Sequence, residues 1–352
     1  MEKRTHTAYG MGLTTRLLLL STVAVFTLMA ACVTPPEKAS LQPVAEDSAP
    51  PSPQFQSDDY IIYTLQGGET VFTLAERFLG DRSKAWIIEQ QNPGLSYEKG
   101  RVVVIPTKFE NRGGLSLKGY QKVPVLCYHY FADTCNSSLC TKAVDFDNQM
   151  KYLKENGYWV ITLKDLLGFT KYDESIPENA VVITIDDGYR SVYDIAYPIL
   201  KKYGFVATLF VYTDFVGSCR NAVTWDQLRE MKTHGFEVES HTLTHSDLSK
   251  KNEGENDAAF LKRITKEIVE SKALLDKMLD QETFAIAFPY GRYNGKVLDI
   301  CKEAGYKLGL TVKRGGNPFF ASPLRLRRSQ MLKGDMAYFE KNLETFQSFS
   351  NR

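Results

Sequence analysis

Short apolar runs alternate with amphipathic stretches from about Val123 to Gln330, and this alternation constrains the fold more than any other feature of the chain. Repeated β-α alternation predicts an α/β fold with parallel strands and helices outside, either a barrel or a doubly wound sheet. In both architectures, functional side chains gather at the carboxyl ends of the strands. The predicted strands are Val123–Tyr128, Ala180–Ile185, Val206–Tyr212, Phe236–Glu239, Phe284–Phe288, Lys307–Val312 and Leu324–Arg327. The predicted helices are Val192–Tyr203, Trp225–His234, Ala258–Leu279 and Gly295–Ala304.

Polar motifs follow three of these predicted strands. Asp186 and Asp187 come after the second strand, where adjacent carboxylates are costly unless a cation or a shared proton stabilises them. His241 and His245 follow the fourth strand, four residues apart, and can share a metal ion. A turn around Tyr290 follows the fifth strand and can aim a backbone N–H into a site. Two imidazoles and one carboxylate leave coordination positions of a metal open for water and substrate. The second aspartate remains free to act as a base. The motifs together therefore predict metal-assisted hydrolysis.

The order of these motifs resembles that of the polysaccharide deacetylase (NodB-homology) family. The resemblance covers about residues 120–330 and implies a domain at 120–335 that folds as a distorted (β/α) barrel and removes N-acetyl groups from N-acetylglucosamine polymers. By position, it implies Asp186 as the general base and a backbone N–H of Tyr290 as a donor to the oxyanion. It also implies Asp187, His241 and His245 as ligands of a divalent metal, usually zinc. The motifs that carry it are Thr184-Ile185-Asp186-Asp187-Gly188, Ser240-His241-Thr242-Leu243-Thr244-His245 and Pro289-Tyr290-Gly291, with Val125-Leu126-Cys127-Tyr128-His129 upstream.

Two departures from the family pattern bear on the site. Alanine and phenylalanine precede the Pro-Tyr-Gly turn where many members have an arginine, and no histidine follows His245. In this respect the chain resembles the members that act on poly-N-acetylglucosamine more than the peptidoglycan deacetylases. We hypothesise that His129 supplies the missing acid; the alternative is a structural histidine. One of Arg325 and Arg327 is a candidate for the missing arginine, the alternative being a solvated basic strand end.

The N-terminus has the organisation of an export signal. Residues 1–31 contain basic residues and then a charge-free run from Leu17 to Ala31, which at 15 residues is shorter than the ~20 needed to span a membrane. The small residues before Cys32 resemble a bacterial lipobox, which implies a lipid attached to Cys32 and an outer-membrane lipoprotein facing the periplasm. The alternative is an ordinary secretory signal with a chance cysteine.

Two further segments precede the predicted deacetylase domain. Residues 32–59 hold six of the 14 prolines of the chain and are predicted to be a linker. Residues 60–108 are predicted to fold in the order βααβ, and phrases such as Tyr63-Thr64-Leu65-Gln66-Gly67-Gly68 resemble a LysM domain. That resemblance implies binding to N-acetylglucosamine-containing glycans such as peptidoglycan. The alternative is a small docking domain without affinity for sugars.

Charge and cysteine content narrow the choice of partners and compartment. Removal of residues 1–31 changes the formal net charge from +1 to −1, so a nucleic-acid partner is not predicted. Cys135 and Cys140 can close a small loop in an oxidising compartment, whereas Cys127 and Cys301 are predicted to be buried thiols. The sequence thus predicts an exported, lipid-anchored deacetylase of peptidoglycan or an exopolysaccharide in the cell envelope. The alternative is a glycan-binding scaffold with weak or no catalysis.

Overall fold

A computed structural model describes residues 53–109, 111–332 and 335–349. The predicted signal peptide at 1–31, the lipid-attachment residue Cys32 and most of the predicted linker at 32–59 lie outside the described residues. Among the described helices, none combines the length and the apolar character required to cross a membrane. The described chain from Pro53 onward belongs to one compact unit, which contains a small N-terminal α/β region and a larger parallel sheet.

The N-terminal region has the predicted βααβ order, with one additional strand before it. Its three strands form an antiparallel sheet, and the first strand lies inside the segment predicted as linker. Asn92 joins the second helix to the last strand, since its side chain bonds both the N–H and the carbonyl of Val104 at 3.0 and 2.7 Å. The assignment of this region to LysM stays a prediction. The elements are β1 (Phe55–Gln56), β2 (Tyr60–Thr64), α1 (Val71–Leu79), α2 (Ala85–Gln91) and β3 (Val102–Pro106).

The larger region is a mixed α/β structure built on a curled parallel sheet, consistent with a distorted barrel. Its central strands lie in the order Leu308–Leu310, Ala285–Ala287, Glu237–Ser240, Thr208–Val211, Ala180–Asp187, Val125–Tyr128 and Ser329–Gln330, and Trp159–Val160 adds to the fifth of these. Every pairing along this path is parallel, as the β-α alternation predicts. The strands are β4 (Leu115–Ser116), β5 (Gly119–Gln121), β6 (Val125–Tyr128), β7 (Tyr130–Ala132), β8 (Cys140–Lys142), β9 (Trp159–Val160), β10 (Ala180–Asp187), β11 (Thr208–Val211), β12 (Glu237–Ser240), β13 (Ala285–Ala287), β14 (Leu308–Leu310), β15 (Ser329–Gln330) and β16 (Phe346–Ser348). The helices are α3 (Ala143–Glu155), α4 (Leu163–Thr170), α5 (Tyr197–Tyr203), α6 (Trp225–Thr233), α7 (Asp257–Leu279), α8 (Gly295–Glu303) and α9 (Met336–Lys341).

The segment before β15 connects the two edges of the parallel sheet. Leu326 forms a parallel bridge with Leu310 of β14: its N–H donates to the carbonyl of Gly309, and its carbonyl accepts the N–H of Thr311. Strand β15 then pairs with β6. The predicted strand Leu324–Arg327 is wrong, because Pro323–Arg325 forms a 3₁₀ turn and the paired strand begins at Ser329. The side chains of Leu324 and Leu326 are nevertheless buried. The chain therefore closes the sheet with one short bridge and one short strand.

The folded region extends beyond the predicted limits of 120 and 335. Strand β16 pairs with β5, and β5 pairs with β4, which forms a small antiparallel sheet from both ends of the domain. Phe339 of α9 is fully buried and contacts Tyr152 of α3 edge-on at 6.1 Å between ring centroids. These contacts join segments that are remote in sequence, and no local sequence signal indicates them.

The cysteines have the predicted arrangement. Cys135 and Cys140 form a disulfide that closes the loop between β7 and β8. Cys127 and Cys301 are buried free thiols, and Cys219 is an exposed free thiol. The disulfide is compatible with an oxidising compartment.

Candidate active site

The three polar motifs meet at the carboxyl ends of neighbouring strands. In the sheet register, Asp187 is level with Val211, Val211 with Ser240, and Ser240 with Ile286. The residues that follow these positions therefore share one edge of the sheet. Asp186 and Asp187 lie at the end of β10, and the histidine motif and the Pro-Tyr-Gly turn lie directly after β12 and β13.

Asp187, His241 and His245 form a cluster of potential metal ligands. Asp187 Oδ1 lies 3.5 Å from Nε2 of His241 and 3.5 Å from Nε2 of His245. One ligand atom from each of the three residues lies within 4.8 Å of the others. His241 Nδ1 lies 2.8 Å from the carbonyl oxygen of Ala287, and since a carbonyl only accepts, Nδ1 is the protonated nitrogen. The lone pair on Nε2 is thus directed into the cluster.

The electrostatics of the cluster suit a cation. Burial, reinforced by the neighbouring Asp186 carboxylate, raises the pKa of Asp187 to about 7. Burial lowers the pKa of His241 to about 4, so its imidazole is neutral at physiological pH and able to act as a ligand. Two neutral imidazoles and a carboxylate match the donor set of zinc sites that keep positions open for substrate. The residues present therefore fit a divalent metal.

The backbone around the site adopts conformations that L-residues rarely occupy. Of the six described non-glycine residues with positive φ, four lie in the three motifs. These four are Asp187, Thr242, His245 and Tyr290, with φ between 59° and 76°. A left-handed conformation costs a non-glycine residue about 1–2 kcal/mol, so the surrounding contacts must hold these residues in place. Such concentration of strain is typical of functional sites.

Asp186 forms a buried ion pair with an arginine that the sequence analysis missed. Arg328 donates from its two terminal nitrogens to the two carboxylate oxygens of Asp186 at 2.7 and 2.8 Å. Arg328 is 0% exposed and Asp186 is 2% exposed. Burial would raise the pKa of Asp186, but the charge of Arg328 and its hydrogen bonds outweigh burial and hold this pKa well below its ordinary value. Asp186 is therefore ionised and fixed in orientation.

Arg325 and Arg327 do not take the place of the missing family arginine. Both are exposed, whereas Arg328 is directed into the barrel. Leu324, Leu326 and Arg328 alternate on the buried side of the segment. Arg328 continues the pattern in which every second residue is apolar and buried, and a buried arginine requires a partner of opposite charge. This pattern was the signal available in the sequence.

His129 lies close to Asp186. The ligand atoms of His129, Cys127 and Asp186 lie within 4.8 Å of one another, and the thiol of Cys127 is 3.5 Å from Asp186 Oδ2. Burial lowers the pKa of His129, so the neutral imidazole predominates at neutral pH. The structure brings His129 next to the site, and its role as an acid stays a prediction.

Tyr290 lies at the mouth of the site. It is 57% exposed, and its ring centroid is 4.8 Å from that of His245. The turn around it is held by N–H groups of Gly291 and Arg292, which donate to Phe288 and Pro289 at 2.7 and 3.1 Å. The role of the Tyr290 N–H at an oxyanion stays a prediction.

Gly291→Ala is expected to destabilise the protein and reduce its activity. Gly291 has φ of +65°, and a Cβ there would lie 2.5 Å from Cγ2 and 2.7 Å from the backbone nitrogen of Val312. Strain of about 1–2 kcal/mol and overpacking of about 1–3 kcal/mol are expected together. Urea denaturation measures the loss. Gly204→Ala is the matched control, because Gly204 has φ of +72° and open space at the Cβ position. Equal losses in the two variants would contradict the predicted clash.

Known proteins resemble this chain in sequence and in fold. A sequence model of the polysaccharide deacetylase family matches residues 173–309. YxkH of Bacillus subtilis (strain 168), whose name assigns it to the polysaccharide deacetylases, is 34% identical over 227 residues. That alignment covers 64% of this chain and 76% of YxkH. The chain belongs to the polysaccharide deacetylase family. The range matched by the family model includes both aspartates, both histidines and Tyr290, but not His129 or Arg328.

Other polysaccharide deacetylases and related structures are similar to this enzyme. The Streptococcus pyogenes deacetylase PplD, solved in complex with acetate, superposes with a TM-score of 0.58 at 32% identity, covering 63% of this chain and 98% of PplD. IcaB from Ammonifex degensii, at 23% identity and a TM-score of 0.56, shares the fold. A Staphylococcus aureus (strain MRSA252) protein named poly-β-1,6-N-acetyl-D-glucosamine N-deacetylase is 35% identical over 173 residues. That alignment covers 48% of this chain and 59% of the relative.

Proposed function

We propose that this polysaccharide deacetylase is a metal-dependent hydrolase that removes N-acetyl groups from an N-acetylglucosamine polymer of the cell envelope. One observation carries the proposal: the potential ligand atoms of Asp187, His241 and His245 lie within 4.8 Å of one another, next to the ionised Asp186. A proton acceptor beside a metal-ligand set with open positions is the arrangement required for metal-assisted hydrolysis.

Each residue of the site has a definite part in the proposed reaction. Asp187, His241 and His245 would hold the metal, which when bound supplies a Lewis acid for the acetamide carbonyl and lowers the pKa of water. Asp186 accepts the proton of the attacking water, and Arg328 holds its carboxylate in place. The C–N bond breaks as acetate forms, and the sugar amine takes a proton, for which His129 is the candidate donor. The N–H of Tyr290 is the candidate donor to the carbonyl oxygen as it gains charge.

Two polymers are candidates for the substrate. Poly-β-1,6-N-acetylglucosamine is supported by the similarity to the Staphylococcus aureus enzyme of that name and by the absence of a histidine after His245. Peptidoglycan is supported by the N-terminal region, whose βααβ order and sequence phrases resemble those of a LysM domain. We favour the first polymer as the substrate, with the N-terminal region as a glycan-binding module.

The proposed location follows from the N-terminal sequence. Residues 1–31 have the order of an export signal, and the small residues before Cys32 resemble a lipobox. We propose that the enzyme is exported, attached through a lipid on Cys32, and placed at the outer membrane facing the periplasm. The proline-rich segment that follows would then serve as a tether to the folded region. Replacing Cys32 by serine and following membrane association by fractionation tests this location.

The substrate is tested by acetate release from the two polymers in parallel. The full chain is supplied with zinc and incubated with poly-β-1,6-N-acetylglucosamine or with peptidoglycan. Asp186→Asn is the control for contaminating activity. Release from the first polymer alone, abolished in the control, is expected. Release from peptidoglycan alone would reverse the choice of substrate. No release from either polymer, by protein shown to contain zinc, would favour a glycan-binding scaffold or a different acylated glycan.

A further inference from the structure

Helix α7 directs three polar side chains toward the loop that follows β12. Arg263, Glu267 and Ser271 are spaced four residues apart, so they lie on one face of the helix. The loop contains His241 and His245, two of the three potential metal ligands. Both Thr242 and His245 have left-handed backbone conformations, with φ of 72° and 64°. A loop with such a backbone needs partners for its polar groups outside regular secondary structure.

Glu267 satisfies the backbone just before His245. Its Oε2 accepts hydrogen bonds from the N–H groups of Leu243 and Thr244 at 3.0 and 2.9 Å. Its Oε1 accepts a hydrogen bond from the hydroxyl of Thr244 at 2.6 Å. Glu267 is 4% exposed, so these bonds are shielded from water. The buried carboxylate of Glu267 therefore holds Leu243 and Thr244, the two residues that precede His245.

Arg263 satisfies the chain just after His245. Its guanidinium donates to the hydroxyl of Ser246 at 3.3 Å and to the carbonyl oxygens of Asp247 and Lys250 at 3.2 and 3.0 Å. Glu255 pairs with the same guanidinium at 2.8 and 3.0 Å and keeps it in position. The acceptor Glu267 and the donor Arg263 thus bracket His245 along the chain.

Ser271 adds a third attachment near His241. The hydroxyls of Ser271 and Ser240 are hydrogen-bonded at 2.9 Å, and the oxygen of Ser240 accepts the N–H of Thr242 at 3.1 Å. Ser240 is the last residue of β12, so this contact fixes the point at which the loop leaves the sheet.

We propose that Glu267 and Arg263 are positioning residues of the metal site, which set the direction of the His245 imidazole by clamping the backbone on both sides of it. The clamp contributes no ligand of its own. It restricts the loop to the conformation in which His245, His241 and Asp187 converge, so its loss weakens metal binding. This inference rests on the proposed metal dependence of the enzyme.

The test compares zinc affinity in matched variants of the full chain. Glu267→Met keeps the size of the side chain and removes all three acceptor contacts. Glu237→Met is the control, because Glu237 at the opposite end of β12 also accepts two backbone N–H groups and one threonine hydroxyl. Zinc affinity is measured by competition with a chelator, and the unfolding midpoint in urea is recorded for each variant.

Glu267→Met is expected to weaken zinc binding by about 10- to 100-fold, the range found when groups that support metal ligands are removed. Glu237→Met is expected to lower the unfolding midpoint while its zinc affinity stays within about twofold of wild type. Glu267→Gln is expected to keep most of the zinc affinity of the wild type, since its amide oxygen can still accept both N–H groups. Equal zinc affinity in wild type and Glu267→Met, or equal losses in both methionine variants, would overturn the clamp.

Arg263→Met provides a second route if Glu267→Met does not fold. Arg263→Met is also expected to weaken zinc binding. It is expected to change the absorption spectrum of bound cobalt(II), which reports the geometry of the metal ligands. An unchanged affinity and spectrum would overturn the inference. Wild-type protein that binds neither zinc nor cobalt(II) would overturn the proposed metal dependence together with the clamp, whereas wild-type binding with insensitive variants would overturn the clamp alone.

Discussion

Asp186→Asn is expected to lower the rate of acetate release by about 10²- to 10⁴-fold, the contribution typical of a positioned general base. Asparagine has nearly the same shape as aspartate but cannot take a proton from water at neutral pH. The ligand set Asp187, His241 and His245 is retained in the variant. The measurement is the turnover of N-acetylglucosamine polymer at saturating zinc.

Zinc content serves as the control for this variant. Binding of one zinc by Asp186→Asn, with the activity lost, would assign the loss to the base rather than to the metal site. Turnover reduced by less than tenfold would contradict the assignment of the base to Asp186, and His129 would become the next candidate because it lies beside the same carboxylate.

Arg328→Met is expected to destabilise the protein by about 3–5 kcal/mol, the cost of leaving one member of a buried ion pair without its partner. Asp186 would then be a buried carboxylate without its guanidinium, since both hydrogen bonds at 2.7 and 2.8 Å are lost. Activity is expected to fall strongly as well, because the orientation and the ionised state of Asp186 depend on this pair. Urea denaturation and acetate release check the two effects.

Exposed arginines of the same segment provide the matched controls. Arg325→Met and Arg327→Met remove the same charge from exposed positions and are expected to change stability by no more than about 0.5 kcal/mol. The double variant Asp186→Asn with Arg328→Met is expected to be more stable than Arg328→Met alone, since no unpaired charge remains buried, yet to stay inactive. Asp186→Asn alone is also expected to lower stability, because it leaves the buried Arg328 without a countercharge. If the double variant showed the sum of the two single losses, no coupling between the residues would exist.

The strand-end motifs could be predicted because their signals are local. Each consists of an apolar run followed at once by polar residues, and the parallel sheet brings such ends together. Most strands and helices of the barrel occur where the alternation placed them. Helices α3, α4 and α9 were not predicted, although the buried residues Phe146, Met150 and Leu153 of α3 have helical spacing. Helical spacing in a segment rich in charged residues is a weaker signal than an apolar run.

The contacts that complete the site could not be predicted in the same way. Arg328 lies 142 residues from Asp186, and Glu267 lies 23 and 24 residues from the loop residues that it holds. Both pairings depend on how the sheet closes and on how α7 packs against β12. The exposure of Arg325 and Arg327 agrees with the alternative of solvated basic residues, and neither replaces the missing arginine. The residue that does pair with Asp186 is Arg328, which is buried like Leu324 and Leu326 before it.

The closing segment also determines when the site is completed during folding. Synthesis of the chain has produced all three motifs once Gly291 has been added. Arg328, which carries the charge opposite to that of Asp186, follows 37 positions later, in the last segment of the chain that joins the parallel sheet. Asp186 gains its guanidinium partner only when the segment that carries Arg328 pairs with β6. Premature termination before Arg328 would leave a chain with every motif and an unbalanced interior charge. Completion of the barrel and completion of the catalytic centre are thus one event.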